Sequence, residues 1–236
     1  AVEIGEQGRA RLAEAGIPST TAEQGLPGAK VVVLALPDNI IGKVAHDIAP
    51  KLAAGTMLLI LDAAAPYADD LPKDRPDLTY FVGHPCHPPL YNDETEWAAR
   101  RDYHGGVAKQ SIVCALMQGP EGDYEEGVAL ARRMFAPVMC AHRVTVEQMA
   151  ILEPAMAEST VLTCMVVMRE ALDEAILAGV PAEAARDFIL GHMGVNTGIL
   201  FGFLDAQVSD GAKMAVERGK KNLFQADWKK VFEIEN

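Results

Sequence analysis

Two histidines and three prolines crowd the stretch FVGHPCHPPLYN, residues 81–92. His84, Cys86 and His87 alternate there with Pro85, Pro88 and Pro89. The prolines exclude helix and fix the segment as a loop, which suits preorganised side chains. An imidazole held in that way can bind a metal, polarise a carbonyl or shuttle a proton. His84 is read as a catalytic group and His87 as a metal ligand, and the H-x-x-H spacing alone does not choose among the three tasks.

Two short segments look built for a nucleotide. Leu36-Pro37-Asp38 stands where an apolar run ends and an amphipathic one begins. Pro37 stiffens the turn, and the helix that follows presents free N–H groups and partial positive charge, the setting for a pyrophosphate and a nicotinamide ribose. Leu61-Asp62-Ala63-Ala64-Ala65 repeats the arrangement after the next apolar run, with small residues that let a cofactor approach the backbone. Glu3 closes what reads as the tail of a strand, Ala1-Val2-Glu3. An acid at that point accepts hydrogen bonds from both hydroxyls of an adenosine ribose and repels a 2′-phosphate, favouring NAD over NADP. The expected cofactor-binding residues are therefore Glu3, Leu36, Pro37, Asp38, Asp62 and Ala63.

The second half offers fewer groups. Glu153-Pro154 interrupts a helical pattern, and the proline is expected to kink the axis near the crevice and aim Glu153 at it as a general base or a metal ligand. In DFILGHMGVNTGILFGFL, residues 187–204, His192 and Asn196 are one turn apart and share a helix face, so both are candidate catalytic residues. Gly194, Gly198 and Gly202 recur every four residues and form a groove for another helix or a ligand; a helix–helix contact across a dimer is the preferred reading.

The elements that must hold these residues follow from the hydrophobic pattern. Lys30 to Leu36 has no polar alternation and predicts a strand buried on both faces; Thr56 to Leu61, Leu78 to Val82 and Ser111 to Met117 read alike. Helices are expected from Glu6 to Ala15, from Asn39 to Leu52 capped by Asp38, and from Asp123 to Phe135, with an edge strand near Val138 to His142. Alternating strands and helices predict an α/β, Rossmann-like parallel sheet over residues 1–144. Thr145 and Gln148 form a capping box that opens an all-α domain over 145–236, with Gly179 and Gly219 as helix stops. The first βα unit, including a glycine-rich phosphate loop, is missing, so roughly 30 residues are expected to precede Ala1 in the natural chain.

Composition sets outer bounds. A formal net charge of −12 over 236 residues with no basic stripe argues against nucleic acid or an anionic membrane as partner. No apolar run approaches the roughly 20 residues that span a bilayer. Four scattered cysteines without a C-x-x-C pair read as reduced, mostly buried thiols of a cytoplasmic protein.

Taken in order, VVVLALPD, LDAAAPYA, VGHPCHPP, HGGVAKQSIVCALMQGPEGDY and LGHMGVNTGILFG resemble the D-apionate oxidoisomerase family over nearly the whole chain. The resemblance implies a Rossmann domain followed by a helical substrate and dimerisation domain of the phosphogluconate-dehydrogenase type. It implies NAD-dependent oxidation of a branched sugar acid, D-apionate, coupled to a carbon shift that gives 3-oxo-isoapionate. His84 or Glu153 would take the 2-hydroxyl proton. A divalent metal ion would stabilise the shift, with His87, Glu153 and His192 as candidates to hold or replace it. The rival readings are a simple NAD-dependent dehydrogenase of another hydroxy acid or sugar acid, and a non-catalytic Rossmann-like scaffold.

Overall fold

The computed structural model describes residues 1–233 and separates into two compact units, Ala1–Ala150 and Ile151–Asn236. In the first, β1 (Val31–Leu34), β2 (Met57–Ile60), β3 (Thr79–Pro85), β4 (Gln110–Gln118) and β5 (Val138–Arg143) form one sheet in that spatial order. Helices α1 (Glu6–Glu14) and α2 (Ala22–Gly25) precede the strands, and α3 (Asp38–Ile48), α4 (Ala64–Tyr67), α5 (Trp97–Arg100), α6 (Gly122–Met134) and α7 (Val146–Ala150) lie between or after them. Val2 makes a single parallel bridge to Thr20 before the sheet begins.

Strands β1, β2 and β3 are parallel, with Leu34, Ile60 and Val82 in one row. β2 is buried along its whole length, as an inner strand with both faces covered must be. The expectation for β1 is corrected. Val33 is 42% exposed, because β1 is the outermost strand among the described residues. A second correction concerns direction. β4 runs antiparallel to β3, pairing His84 with Val113, and β5 runs parallel to β4, so the sheet is mixed. A parallel return needs a crossover of a dozen or more residues that is usually helical. The segment between β3 and β4 holds only the four-residue α5 and comes back on the same edge of the sheet.

One face of the sheet packs Met57, Leu59, Phe81, Ile112 and Cys114 against Tyr124 and Ala131 of α6. Contact is close: a Cβ on Gly127 would lie 2.3 Å from the Phe81 ring, so only glycine lets α6 approach. Cys114 is buried and its thiol is pushed up to about 12 by that burial, whereas Cys86 and Cys140 are exposed and Cys164 half-buried, which corrects the expectation of mostly buried thiols. Asp38 opens α3 without capping it; Pro37 takes the cap position.

The expected capping box is present. The Gln148 side chain accepts from the Thr145 N–H at 3.0 Å, and Thr145 Oγ1 accepts from the Gln148 N–H at 3.2 Å. From Val146 to Leu177 the chain is helical, and by length and composition alone this stretch is apolar enough to cross a membrane, with a mean hydropathy of 1.4 in its most apolar window of 18 residues. The sequence expectation on apolar runs therefore holds only for uninterrupted ones, since Glu153 and Glu158 break this one. In the second unit a π-helical stretch, Ile151–Leu162, precedes α8 (Thr163–Leu177), α9 (Ala182–Leu200) and α10 (Asp210–Leu223). Pro154 lies inside the π-helical stretch, where its missing N–H prevents a regular α ladder. Gly179 ends α8 at φ +98°, as expected. Gly219 does not end a helix; it lies within α10, half-buried, at the ordinary cost of a glycine inside a helix, about 1 kcal/mol. Gly202 is also reassigned. At φ +77° it terminates α9, with the Phe203 N–H on the Gly198 carbonyl and the Gly202 N–H on the Ile199 carbonyl, so the helical glycine row stops at Gly198.

Candidate active site

The parallel register decides what meets at the carboxyl edge. Two residues beyond the row Leu34–Ile60–Val82 stand Leu36, Asp62 and His84. Side chains alternate along a strand, so His84, still within β3, keeps the face of Val82, and Asp62 is delivered beside it from the end of the neighbouring β2. The structure bears this out for the inner pair: a carboxylate oxygen of Asp62 and a ring nitrogen of His84 lie within 4.8 Å of one another.

Each member of that pair is fixed from behind. Asp62 Oδ1 accepts the Ala64 N–H at 2.6 Å and so starts α4. His84 Nδ1 lies 2.8 Å from the Leu61 carbonyl oxygen. A carbonyl only accepts, so in the neutral ring Nδ1 carries the proton and Nε2 is the atom with the lone pair. His84 thus presents a base or ligand atom of known identity. Its setting differs from the expected loop: His84 and Pro85 are the last residues of β3, held by the pairing of that strand with β4. Ladder pairing positions the ring more firmly than prolines alone.

The segment after β3 forms its own structure. His87 takes φ +60°, its Nδ1 is 2.8 Å from the His104 carbonyl, and its ring stacks on that of His104 with centroids 5.2 Å apart. It meets the His84 ring edge-on at 6.4 Å. Asp102 gathers the return of the loop by accepting the backbone N–H groups of His104, Gly105, Val107 and Ala108, which holds its carboxyl at about 2. The paired glycines do what their type allows. Gly105 and Gly106 sit at φ +116° and +110°, and a Cβ on Gly105 would fall 2.4 Å from the buried Gln110 side chain. Asp102 and His104 carried no role in the sequence reading, although an Asp two residues before His-Gly-Gly is a recognisable turn-forming signal.

Of the remaining nucleotide-facing residues, Pro37 caps α3 with exposed Asp38 in its first turn, leaving that helix end directed at the carboxyl edge. Ala63 is only 1% exposed and packs inside, so exposed Ala64 supplies the surface of that turn. Glu3 accepts the Gly5 N–H at 2.6 Å at the start of α1, and its carboxylate occupies the space a Cβ on Gly8 would need, 2.3 Å away. Glu153, His192 and Asn196 belong to the second unit. Glu153 is half-buried just before Pro154. His192 and Asn196 are exposed on α9, with the His192 ring stacked on Phe188 at 4.0 Å and its Nδ1 on the Phe188 carbonyl. The structure therefore brings together Asp62, His84 and the His87–His104 pair within the first unit.

Comparison with known proteins adds the family. Residues 92–236 match the family described as phosphogluconate dehydrogenase (decarboxylating) C-term. A D-apionate oxidoisomerase of Cupriavidus necator is 52% identical over 99% of this chain and 85% of its own length. A D-apionate oxidoisomerase of Rhizobium rhizogenes is also 52% identical, over 98% of this chain and 85% of its own length. Among solved structures, a semialdehyde dehydrogenase NAD-binding protein from Cupriavidus necator, in complex with calcium and NAD, superposes with a TM-score of 0.94 at 52% identity, covering 98% of this chain and 84% of that one. Identity at this level over nearly the whole length, with the Asp62–His84 edge in a Rossmann-like sheet, means that the chain belongs to the D-apionate oxidoisomerase family.

Proposed function

We propose that the protein oxidises D-apionate with NAD and rearranges the carbon skeleton to give 3-oxo-isoapionate. The observation that carries the reading is the Asp62–His84 pair at the ends of adjacent parallel strands, in a chain 52% identical to proteins named for that reaction. Ligands in α/β sheets bind at such carboxyl ends.

The residues fit the groups the reaction needs. The exposed N-terminus of α3 behind Leu36-Pro37-Asp38 suits a pyrophosphate, and the Glu3 carboxylate suits a ribose diol. The Asp62 carboxylate is a hard oxygen donor that would suit a divalent cation, with the imidazole of His84 beside it for proton transfer, and a structure 52% identical holds both calcium and NAD. When bound, NAD supplies the hydride acceptor and the cation neutralises charge on the adjacent 2- and 3-oxygens of the substrate.

Asp62 is the residue assigned to hold the cation, which leaves His84 Nε2 to take the proton of the 2-hydroxyl as C2 is oxidised. The product of that step is a 2-oxo, 3-hydroxy acid. Glu153 then takes the 3-hydroxyl proton, and a hydroxymethyl group moves with its bonding pair from C3 to C2. C3 becomes the ketone, and the oxygen on C2 regains a proton, so atoms and charge balance. His192 and Asn196, one turn apart on α9, are assigned to the remaining hydroxyls.

Incubating the full-length protein with NAD and 13C-labelled D-apionate tests this. The expected result is one NADH per 3-oxo-isoapionate seen by NMR. Accumulation of the unrearranged 2-oxo acid would leave a simple dehydrogenase, and absence of NAD binding would leave a scaffold.

The same reading assigns a homodimer through the helical unit. Helices α8, α9 and α10 bury only Ala185 and Gly198 among the described residues, while Phe188, Leu190, Leu200 and Phe201 are more than half exposed. Leaving these apolar side chains in water is unfavourable by about 25 cal/mol per Å² of apolar surface. Sedimentation is expected to give twice the chain mass at micromolar concentration; a monomer there would remove the assignment.

A further inference from the structure

The segment between β3 and β4 contains a hydrogen-bond relay that the roles above do not use. Asp102 binds four backbone N–H groups, among them that of His104. The His104 carbonyl takes the Nδ1–H of His87, and the two rings stack with an interplanar angle of 30°. His87 is held in the left-handed region at φ +60°, a state that a non-glycine residue keeps only where its surroundings impose it. Fixing the proton on Nδ1 makes Nε2 the acceptor atom of the ring, as it does for His84. The two rings meet edge-on at 6.4 Å, so two acceptor-bearing imidazoles flank the carboxyl end of β3.

We infer that Asp102 is a positioning residue and His87 a specificity-determining one: the loop that Asp102 holds fixes the tautomer and aim of His87, whose Nε2 accepts a hydrogen bond from a hydroxyl of a polyhydroxy acid bound beside His84. For its substrate the inference rests on the D-apionate reading; the relay itself does not. Its chemistry follows from the ligand class. A branched sugar acid has more hydroxyls than the reaction consumes, and a site that binds one of them with a fixed acceptor discriminates strongly against analogues lacking it.

Two readouts test the parts separately. In 15N NMR of the full-length protein without substrate, His87 is expected as the Nδ1–H tautomer, and Asp102→Asn, which cannot accept four N–H groups, is expected to give a mixture of tautomers. An unchanged His87 signal in Asp102→Asn overturns the positioning role, whatever the substrate is. In steady-state kinetics, His87→Ala is expected to raise KM for D-apionate about tenfold while kcat and KM for NAD stay within about twofold. Asp102→Asn is expected to raise the same KM several-fold, and to add nothing in the His87→Ala background, since its effect passes through that ring. Additive effects would make Asp102 merely structural, and an unchanged KM in His87→Ala would remove the specificity role. Should Asp102→Asn not fold, His87→Ala still decides the second part, and Asp102→Ser, which keeps a single side-chain acceptor, repeats the tautomer readout for the first; His104→Ala, which keeps the backbone carbonyl, is expected to leave the His87 tautomer intact, and its loss overturns the backbone relay. If the wild-type protein binds NAD but does not turn over D-apionate, the substrate reading fails while the tautomer result still judges the relay.

Discussion

Replacing His84 by alanine is expected to lower kcat for D-apionate at least about a hundredfold, the lower range for loss of a positioned acid–base group. Two effects are mixed in that substitution and can be separated. The His84 ring also donates from Nδ1 to the Leu61 carbonyl at 2.8 Å, at the turn where Asp62 starts α4. Alanine leaves that carbonyl without this donor, which costs about 1 kcal/mol and lowers the thermal midpoint by a few degrees. His84→Asn retains an N–H able to reach the carbonyl but has no basic nitrogen. The expected pattern is a restored midpoint with turnover still at least about a hundredfold down. If His84→Asn recovers both, the ring is a strut and not a base. If His84→Ala turns over within about threefold of wild type, His84 leaves the mechanism altogether.

The residues of the site were legible where they obey a local rule and illegible where pairing partners decide. Apolar runs ending in Leu-Pro-Asp, Leu-Asp-Ala and Gly-His-Pro marked three strand ends, and the structure places them along one edge. The Thr145–Gln148 capping box and the Gly179 stop involve residues within a turn of one another, and both are present. Strand direction is different in kind. The reversal of β4 depends on whether the chain crosses over or comes straight back, which no window of residues records. The lack of any long helical pattern between Val82 and Gln110 was the available signal. That reversal also moves His84 from a loop into a paired strand, and it sets the loop organised by Asp102 beside it. The exposure of Val33 is likewise a matter of strand order and not of composition. Glycine misled in both directions: Gly219 is accommodated inside α10 because its neighbours Arg218 and Lys220 favour helix, while Gly202 closes α9 through its positive φ and leaves the spacing rule one member short.

Glu153→Gln is expected to reduce turnover at least about a hundredfold with little change in thermal midpoint. The case rests on backbone as much as on charge. Glu153 precedes Pro154 within a π-helical stretch of 12 residues, and such segments recur at functional sites because they trade regular hydrogen bonding for an altered side-chain direction. A proline there cannot donate, so the neighbouring backbone is already irregular in the wild type and does not depend on the Glu153 charge. Glutamine keeps the length and branching of the side chain and can make comparable hydrogen bonds, but it neither takes a proton nor carries charge. Substitution therefore isolates the proton-accepting role. The second proton transfer, from the 3-hydroxyl, is the step that should fail, so the unrearranged 2-oxo acid is expected to appear in the NMR spectrum as NADH forms slowly. A loss of turnover with no such acid would place Glu153 at the first transfer instead, beside or in place of His84. A fall in midpoint of more than a few degrees with the same loss would make it a structural residue, and a normal rate would leave the rearrangement without its assigned base.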